Sequence, residues 1–156
     1  MKAEQQDGFT LVEILIVVAI VGLLASMGSL AIRQSVENGR KKGAEAELQL
    51  LSAAVLQMAW DTGKWPNQMA RNKGGSTEIW NISGDSSGLF LSDGSYDNWK
   101  GPYYNGESLD PWGNPYFFDP DYRINGVNHV VVGSFGPNGK GRNLYDSDDI
   151  YVLLDD

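Results

Sequence analysis

From Phe9 to Ile32 the chain is a nearly unbroken apolar stretch carrying one charge, Glu13. Roughly twenty helical residues at about 1.5 Å each cross a hydrocarbon layer of about 30 Å, so this stretch predicts a membrane-spanning helix. A secretory signal peptide is the competing reading. It wants a basic start, a shorter apolar run and a small-residue cleavage site after that run. Here the start, Met1 to Gly8, holds Lys2 against Glu4 and Asp7.

The helical pattern continues past the membrane edge. Ala44 to Trp60 is rich in Ala, Leu, Glu and Gln, all good helix formers. Leu48, Leu51, Val55 and Met58 recur at helical steps and form one apolar stripe. The expectation is a single long helix from about Phe9 to about Asp61, on the order of 80 Å, with Gly22, Gly28, Gly39 and Gly43 as candidate interruptions. Its stop is Thr62-Gly63-Lys64-Trp65-Pro66, where glycine caps and proline cannot continue a helix.

Asn67 to Gly101 is rich in Gly, Ser, Asn and Asp with scattered Trp, Leu and Phe, and reads as an ordered loop region. Trp80, Leu89 and Phe90 are candidates there for a partner contact or for packing. Three strand-like pieces follow: Tyr116 to Phe118, His129 to Phe135 and Ile150 to Leu154. The fold class expected is α+β, a small antiparallel sheet covered by the stripe of the second helix half. The division is a leader over residues 1–8, a membrane half-helix over 9–32 and an α+β head over 33–156.

The net charge is −8. From Glu78 onward thirteen acidic residues stand against four basic ones, while Arg33, Arg40, Lys41 and Lys42 cluster early. Such an acidic surface repels nucleic acid and offers oxygen ligands to hard cations. Absence of cysteine removes disulfides, thiolate metal sites and thiol nucleophiles. The single histidine, His129, sits in an apolar run and reads as structural. With no phosphate-binding glycine motif and no carboxylate pair singled out by spacing, the sequence does not read as an enzyme.

Glu13 is the most informative residue, because a carboxylate near the apolar layer costs a few kcal/mol unless it has a partner. One reading leaves Glu13 wet at the membrane interface. The other supplies a cation: cleavage after Gly8 frees the Phe9 amine, and a neighbouring subunit's amine can pair with Glu13.

Gly8-Phe9-Thr10-Leu11-Val12-Glu13 resembles the class III signal of type IV pilins and type II secretion pseudopilins. The resemblance implies cleavage after Gly8 by prepilin peptidase, methylation of Phe9 and an assembly role for Glu13. Two departures stand out. The leader is acidic where the family's is net basic, and Leu30 occupies a position where relatives commonly carry proline. Taken alone, the positive-inside rule puts the head in the cytoplasm; the cleavage-site resemblance puts it in the periplasm.

Further along, Thr62 to Pro66, Asp110-Pro111-Trp112-Gly113-Asn114-Pro115-Tyr116 and Ser134 to Gly139 resemble landmarks of the major pseudopilin of type II secretion. The middle block reads as two proline-fixed turns around a buried tryptophan, a scaffold and not a catalytic site. Gly136 to Asp149 combines glycines with Asn138, Asp146, Asp148 and Asp149, a set of oxygen donors of the kind calcium takes. A solvated acidic turn is the plainer reading. The resemblance implies a Ca²⁺ site there, with backbone ligands at Phe135 and Leu144, and Asn138 standing where relatives usually have aspartate. Asp119, Asp121, Asn125 and Gly126 imitate the start of an EF-hand loop, but Val130 occupies the place of the bidentate acid, and that reading is rejected.

The function implied is a non-enzymatic subunit polymerising into a short helical pseudopilus that drives protein export across the outer membrane. Its implied partners are copies of itself, minor pseudopilins, prepilin peptidase, and the inner-membrane assembly platform with its ATPase; nucleic acid is not among them. A type IV pilus pilin shares the whole helix argument. A membrane-tethered acidic binding module is the reading from another class.

Overall fold

The computed structural model describes residues 8–72 and 75–154, and of residues 27–30 the backbone alone. Residues 1–7 of the expected leader lie outside the described residues. The chain divides into two compact units, one ending at Gly39 and the other beginning at Arg40.

Helix α1, Leu11–Thr62, is 52 residues long and runs through Gly22, Gly28, Gly39 and Gly43 without a break. Its end follows the expected chemistry: Gly63 takes a left-handed φ of 70° and donates its N–H to the Ala59 carbonyl at 3.0 Å. In the first unit the helix is apolar and exposed, with Phe9 and Leu11 more than 80% accessible. It is long and apolar enough to cross a membrane.

In the second unit the expected stripe is the core. Leu48, Leu51, Val55 and Met58 are fully buried, together with Ala44 one turn earlier. Each large side chain buried this way contributes about 1.5–3 kcal/mol. They meet Tyr116 and, from a three-stranded antiparallel sheet, Phe118 and Val132. Its strands are β1 (Phe117–Ile124), β2 (Val127–Ser134) and β3 (Ile150–Leu153), in the order β1-β2-β3.

The other face of the sheet is also covered. Phe117, Tyr122, Val131 and Phe135 form a second cluster, closed by Trp80, Ile124 and Tyr145. Phe117 stacks on Phe135 with ring centroids 4.4 Å apart. Because successive strand residues point to opposite faces, Phe117 and Phe118 serve different cores.

β1 is longer than the sequence reading, which stopped it at Phe118. It continues through Asp119-Pro120-Asp121 to Ile124, with the register shifting between Asp119 and Tyr122. Pro120 lacks a donor and sits in that irregularity, as proline in a strand must. Asn125 and Gly126 then make a two-residue hairpin with φ of 50° and 86°, the left-handed pair that such a turn requires.

Residues 67–101 are ordered where described, with one short 3-10 turn, Asp85–Ser87. Ile82 and Leu89 are fully buried, and Trp80 and Phe90 pack partly against the two clusters. Of the two alternatives for this segment, packing is what the structure shows. The segment is tied to β1 by reciprocal bonds of 2.8 Å between Ile79 and Phe118.

Candidate assembly and cation sites

The helix begins with a reciprocal cap. Thr10 donates its backbone N–H and its hydroxyl to Glu13 Oε2 at 2.8 and 2.7 Å, and the Glu13 N–H returns to Thr10 Oγ1 at 3.3 Å. This is the capping box, in which the residue before the helix and the third helical residue satisfy each other's orphan donors. Thr10-x-x-Glu13 spells it in the sequence, but the reading of Glu13 as a charge concealed the local role. Gly8 and Phe9 lie exposed just before the cap.

The second node is Asp110. It is buried, with 5% of its surface accessible, and all its bonds are accounted for. Oδ1 accepts the N–H groups of Trp112 and Asn114 at 3.0 and 2.8 Å, and Oδ2 accepts the Ser134 hydroxyl at 2.5 Å. Asn114 in turn donates its amide to the Gly136 carbonyl at 3.0 Å. Of the two expected proline-fixed turns one is there, at Pro111, closed by the Gly113 N–H on the Asp110 carbonyl at 2.9 Å; Pro115 instead forms an isolated bridge with Leu109. Trp112 is only half-buried; Tyr116 is the aromatic that fills the core, and Asp110 is what holds the turn. Strand alternation favours this outcome, since Tyr116 is already aligned with Phe118 on the helix-facing side.

Through Ser134 and Asn114 this block anchors the loop of 136–149. Gly136 has a φ of 61°, and a Cβ there would collide with the Asp148 carbonyl, so the loop closes on glycine. Asn138, Asp146 and Asp148 come together: the Asn138 amide nitrogen donates to Asp146 Oδ2 at 2.9 Å and to Asp148 Oδ1 at 2.5 Å. Asn138 N–H also reaches Asp148 Oδ2 at 3.1 Å. The hydrogen bond from Asp148, then that from Asn138, lowers the pKa of Asp146; desolvation, then the nearby Asp146, raises that of Asp148.

Asp149 turns inward. Its Oδ2 accepts the Tyr122 hydroxyl at 2.7 Å, while Oδ1 is buried with no partner among the described residues. Burial raises its pKa to about 6 despite the Tyr122 bond. Leu144 is exposed, its N–H closing a turn on the Gly141 carbonyl at 2.8 Å, and the Phe135 side chain belongs to the second core.

The loop's oxygen donors are of the kind a hard cation takes, though Asp149 faces Tyr122. They are oxygens from Asp146, Asp148 and Asp149, and the Asn138 amide nitrogen already bridges two of the carboxylates as a positive dipole. For a cation between them, Asn138 must present Oδ1, which here accepts the Lys140 N–H at 2.5 Å. His129 lies in β2 opposite Tyr122.

The prokaryotic N-terminal methylation motif matches residues 5–29. In this motif the chain is similar to N-terminally methylated prokaryotic proteins. Its likeness extends far beyond the motif: it is 28% identical over 146 residues to type II secretion system core protein G of Xanthomonas campestris pv. campestris, covering 92% of this chain and 87% of that protein. The core protein G of Pseudomonas aeruginosa is 28% identical over 117 residues, covering 74% of this chain and 75% of its own. No solved structure matches. The pilin-type motif accounts for the first unit, and the core-protein likeness covers the second as well.

Proposed function

We propose that this chain is the polymerising subunit of a type II secretion pseudopilus, anchored in the inner membrane by Phe9 to Ile32 with residues 33–156 in the periplasm. The single observation that carries the reading is likeness to core protein G along 92% of the chain, motif and second unit together. A true pilus pilin would share the motif but not that extent of likeness. The chain is not an enzyme; catalysis falls to its partners.

Prepilin peptidase cleaves after Gly8 and methylates Phe9. The platform and its ATPase, with minor pseudopilins, then add the subunit to a filament. Subunits join by a heterologous contact that repeats without closing. The exposed apolar half of α1 is the surface that exchanges lipid for neighbouring subunits. Glu13, the one charge on that surface, meets the cation created at Phe9.

The loop of 136–149 binds Ca²⁺ through Asn138, Asp146, Asp148 and Asp149, with carbonyls of Phe135 and Leu144. Bound there, the ion would neutralise crowded carboxylates and lock the loop on the Asp110 block.

Deletion of the gene in its host tests the assignment. Exoproteins should accumulate in the periplasm while surface pili and twitching remain, and the wild-type chain should restore export. Lost pili with normal export would instead make it a pilus pilin.

A further inference from the structure

Asp119 is an acid in a place where acids are rarely left alone. It follows Phe117 by two positions and pairs with Val131, so it shares the face of the second aromatic cluster. Only 1% of its surface is accessible. Oδ1 accepts the Asp121 N–H at 2.8 Å, but Oδ2 is buried without a hydrogen-bond partner among the described residues. Asp121 Oδ1 is buried and unpartnered in the same way.

The fold brings a third acid to this point. The reciprocal bridge between Ile79 and Phe118 sets Glu78 beside Asp119, and one carboxylate oxygen from each of Glu78, Asp119 and Asp121 lies within 4.8 Å of the other two. Three carboxylates this close repel one another, and a buried ionised oxygen without a partner is strongly unfavourable. A hard cation removes both penalties, because it takes oxygen ligands and offsets their charge. Glu78 and Asp121 are only half-buried, so the cluster lies near the surface, where water could complete the coordination.

We propose that Glu78, Asp119 and Asp121 form a binding site for a divalent cation of the calcium class on the outer face of the sheet. It shares no ligand with the loop of 136–149 and does not rest on the secretion assignment. The EF-hand reading fails because Val130 stands where the bidentate acid should be, and Asn125 and Gly126 belong to a hairpin turn. The acid missing from that linear motif comes from the preceding segment, across the Ile79–Phe118 bridge. A filled site would tie residues near Glu78 to β1, adding an ionic clamp to two backbone hydrogen bonds.

The test counts bound calcium by equilibrium dialysis of the decalcified full chain in detergent, with circular dichroism to confirm the fold. Glu78→Gln and Asp119→Asn should each bind one Ca²⁺ fewer per chain than the parent. Asp119→Asn neutralises the buried charge and keeps the fold without the ion, so it reads the site even where Glu78→Gln unfolds. The paired variant Asp146→Asn/Asp148→Asn isolates the sheet site: it should still bind one ion, lost when Glu78→Gln is added. An unchanged count in the folded Glu78→Gln and Asp119→Asn variants overturns the proposal, as does a loop variant that binds no calcium. A loop variant that binds as many ions as the parent counts only against the loop site.

Discussion

Thr10 and Glu13 hold each other at the start of α1, with two donors of Thr10 converging on one carboxylate oxygen at 2.8 and 2.7 Å. Glu13 therefore has a local capping role beside the assembly role proposed for it. In the structure it caps its own helix; in the proposed filament it would also receive the amine of a neighbour. A carboxylate has a second oxygen, so the cap can persist while Oε1 takes the cation.

Substitutions at Glu13 can separate these roles. Glu13→Gln keeps an acceptor for Thr10 but removes the charge, so membrane insertion and helix start should survive while sheared filament falls at least about tenfold, the equivalent of about 1.4 kcal/mol per added subunit. Thr10→Ala should cost about 1 kcal/mol of helix-end stability and reduce assembly less. Normal filament yield from Glu13→Gln would remove the charge-pairing argument.

Intact-mass measurement of the membrane-extracted protein should find a chain that begins at a methylated Phe9. Gly8→Ala should leave the precursor uncut, since the peptidase must approach the backbone closely there. Residues 1–8 still present in the wild-type protein would sink the assignment.

Asp110 satisfies two turn N–H groups and one hydroxyl from inside the fold. Asp110→Ala leaves these buried donors unpaired and should destabilise the second unit by about 3 kcal/mol, seen as a lower melting midpoint of the full chain in detergent. Asp110→Asn retains Oδ1, and the Ser134 hydroxyl can rotate to accept from the new amide. Its loss should be nearer about 1 kcal/mol.

Tyr96, Tyr104 and Tyr116 all have phenol pKa values raised above the usual 10, each mainly by burial, and for Tyr104 also by the hydroxyl's bond to Glu47 at 2.5 Å. The unfolded chain releases these protons near pH 10 and the folded chain keeps them, so the folded state binds more protons there. Their contribution is complete below pH 10 and is lost as pH rises above it. The melting midpoint should fall steeply above pH 10, and phenolate absorbance should appear together with unfolding. Tyr104→Phe should make that fall shallower.

For the loop of 136–149, chelator should lower the melting midpoint of the full chain, because a ligand bound only by the native state stabilises it, by about 2.7 kcal/mol at a hundredfold excess over Kd. Asn138→Asp restores a charge beside Asp146 and Asp148. It should tighten calcium and destabilise the calcium-free loop, where the Asn138 amide is the bridging donor.

What the linear order carries is local. The long apolar helix, the stripe from Leu48 to Met58, the glycine stop at Gly63 and the pilin-type motif around Glu13 all follow from neighbours within a turn or two, where period and capping chemistry act. The Asn125-Gly126 hairpin and the Thr10 cap were equally local and legible, but each was masked by another reading of the same residues. The tertiary structure decided what depends on distant partners. It seated Tyr116 in place of Trp112, because strand alternation sets which aromatic faces the helix. It turned Asp149 onto Tyr122, gave Asp110 to Ser134, and set Glu78 beside Asp119 through a two-bond bridge. An acid's chemistry depends on what surrounds it, and for these acids the surroundings come from segments that only folding brings near.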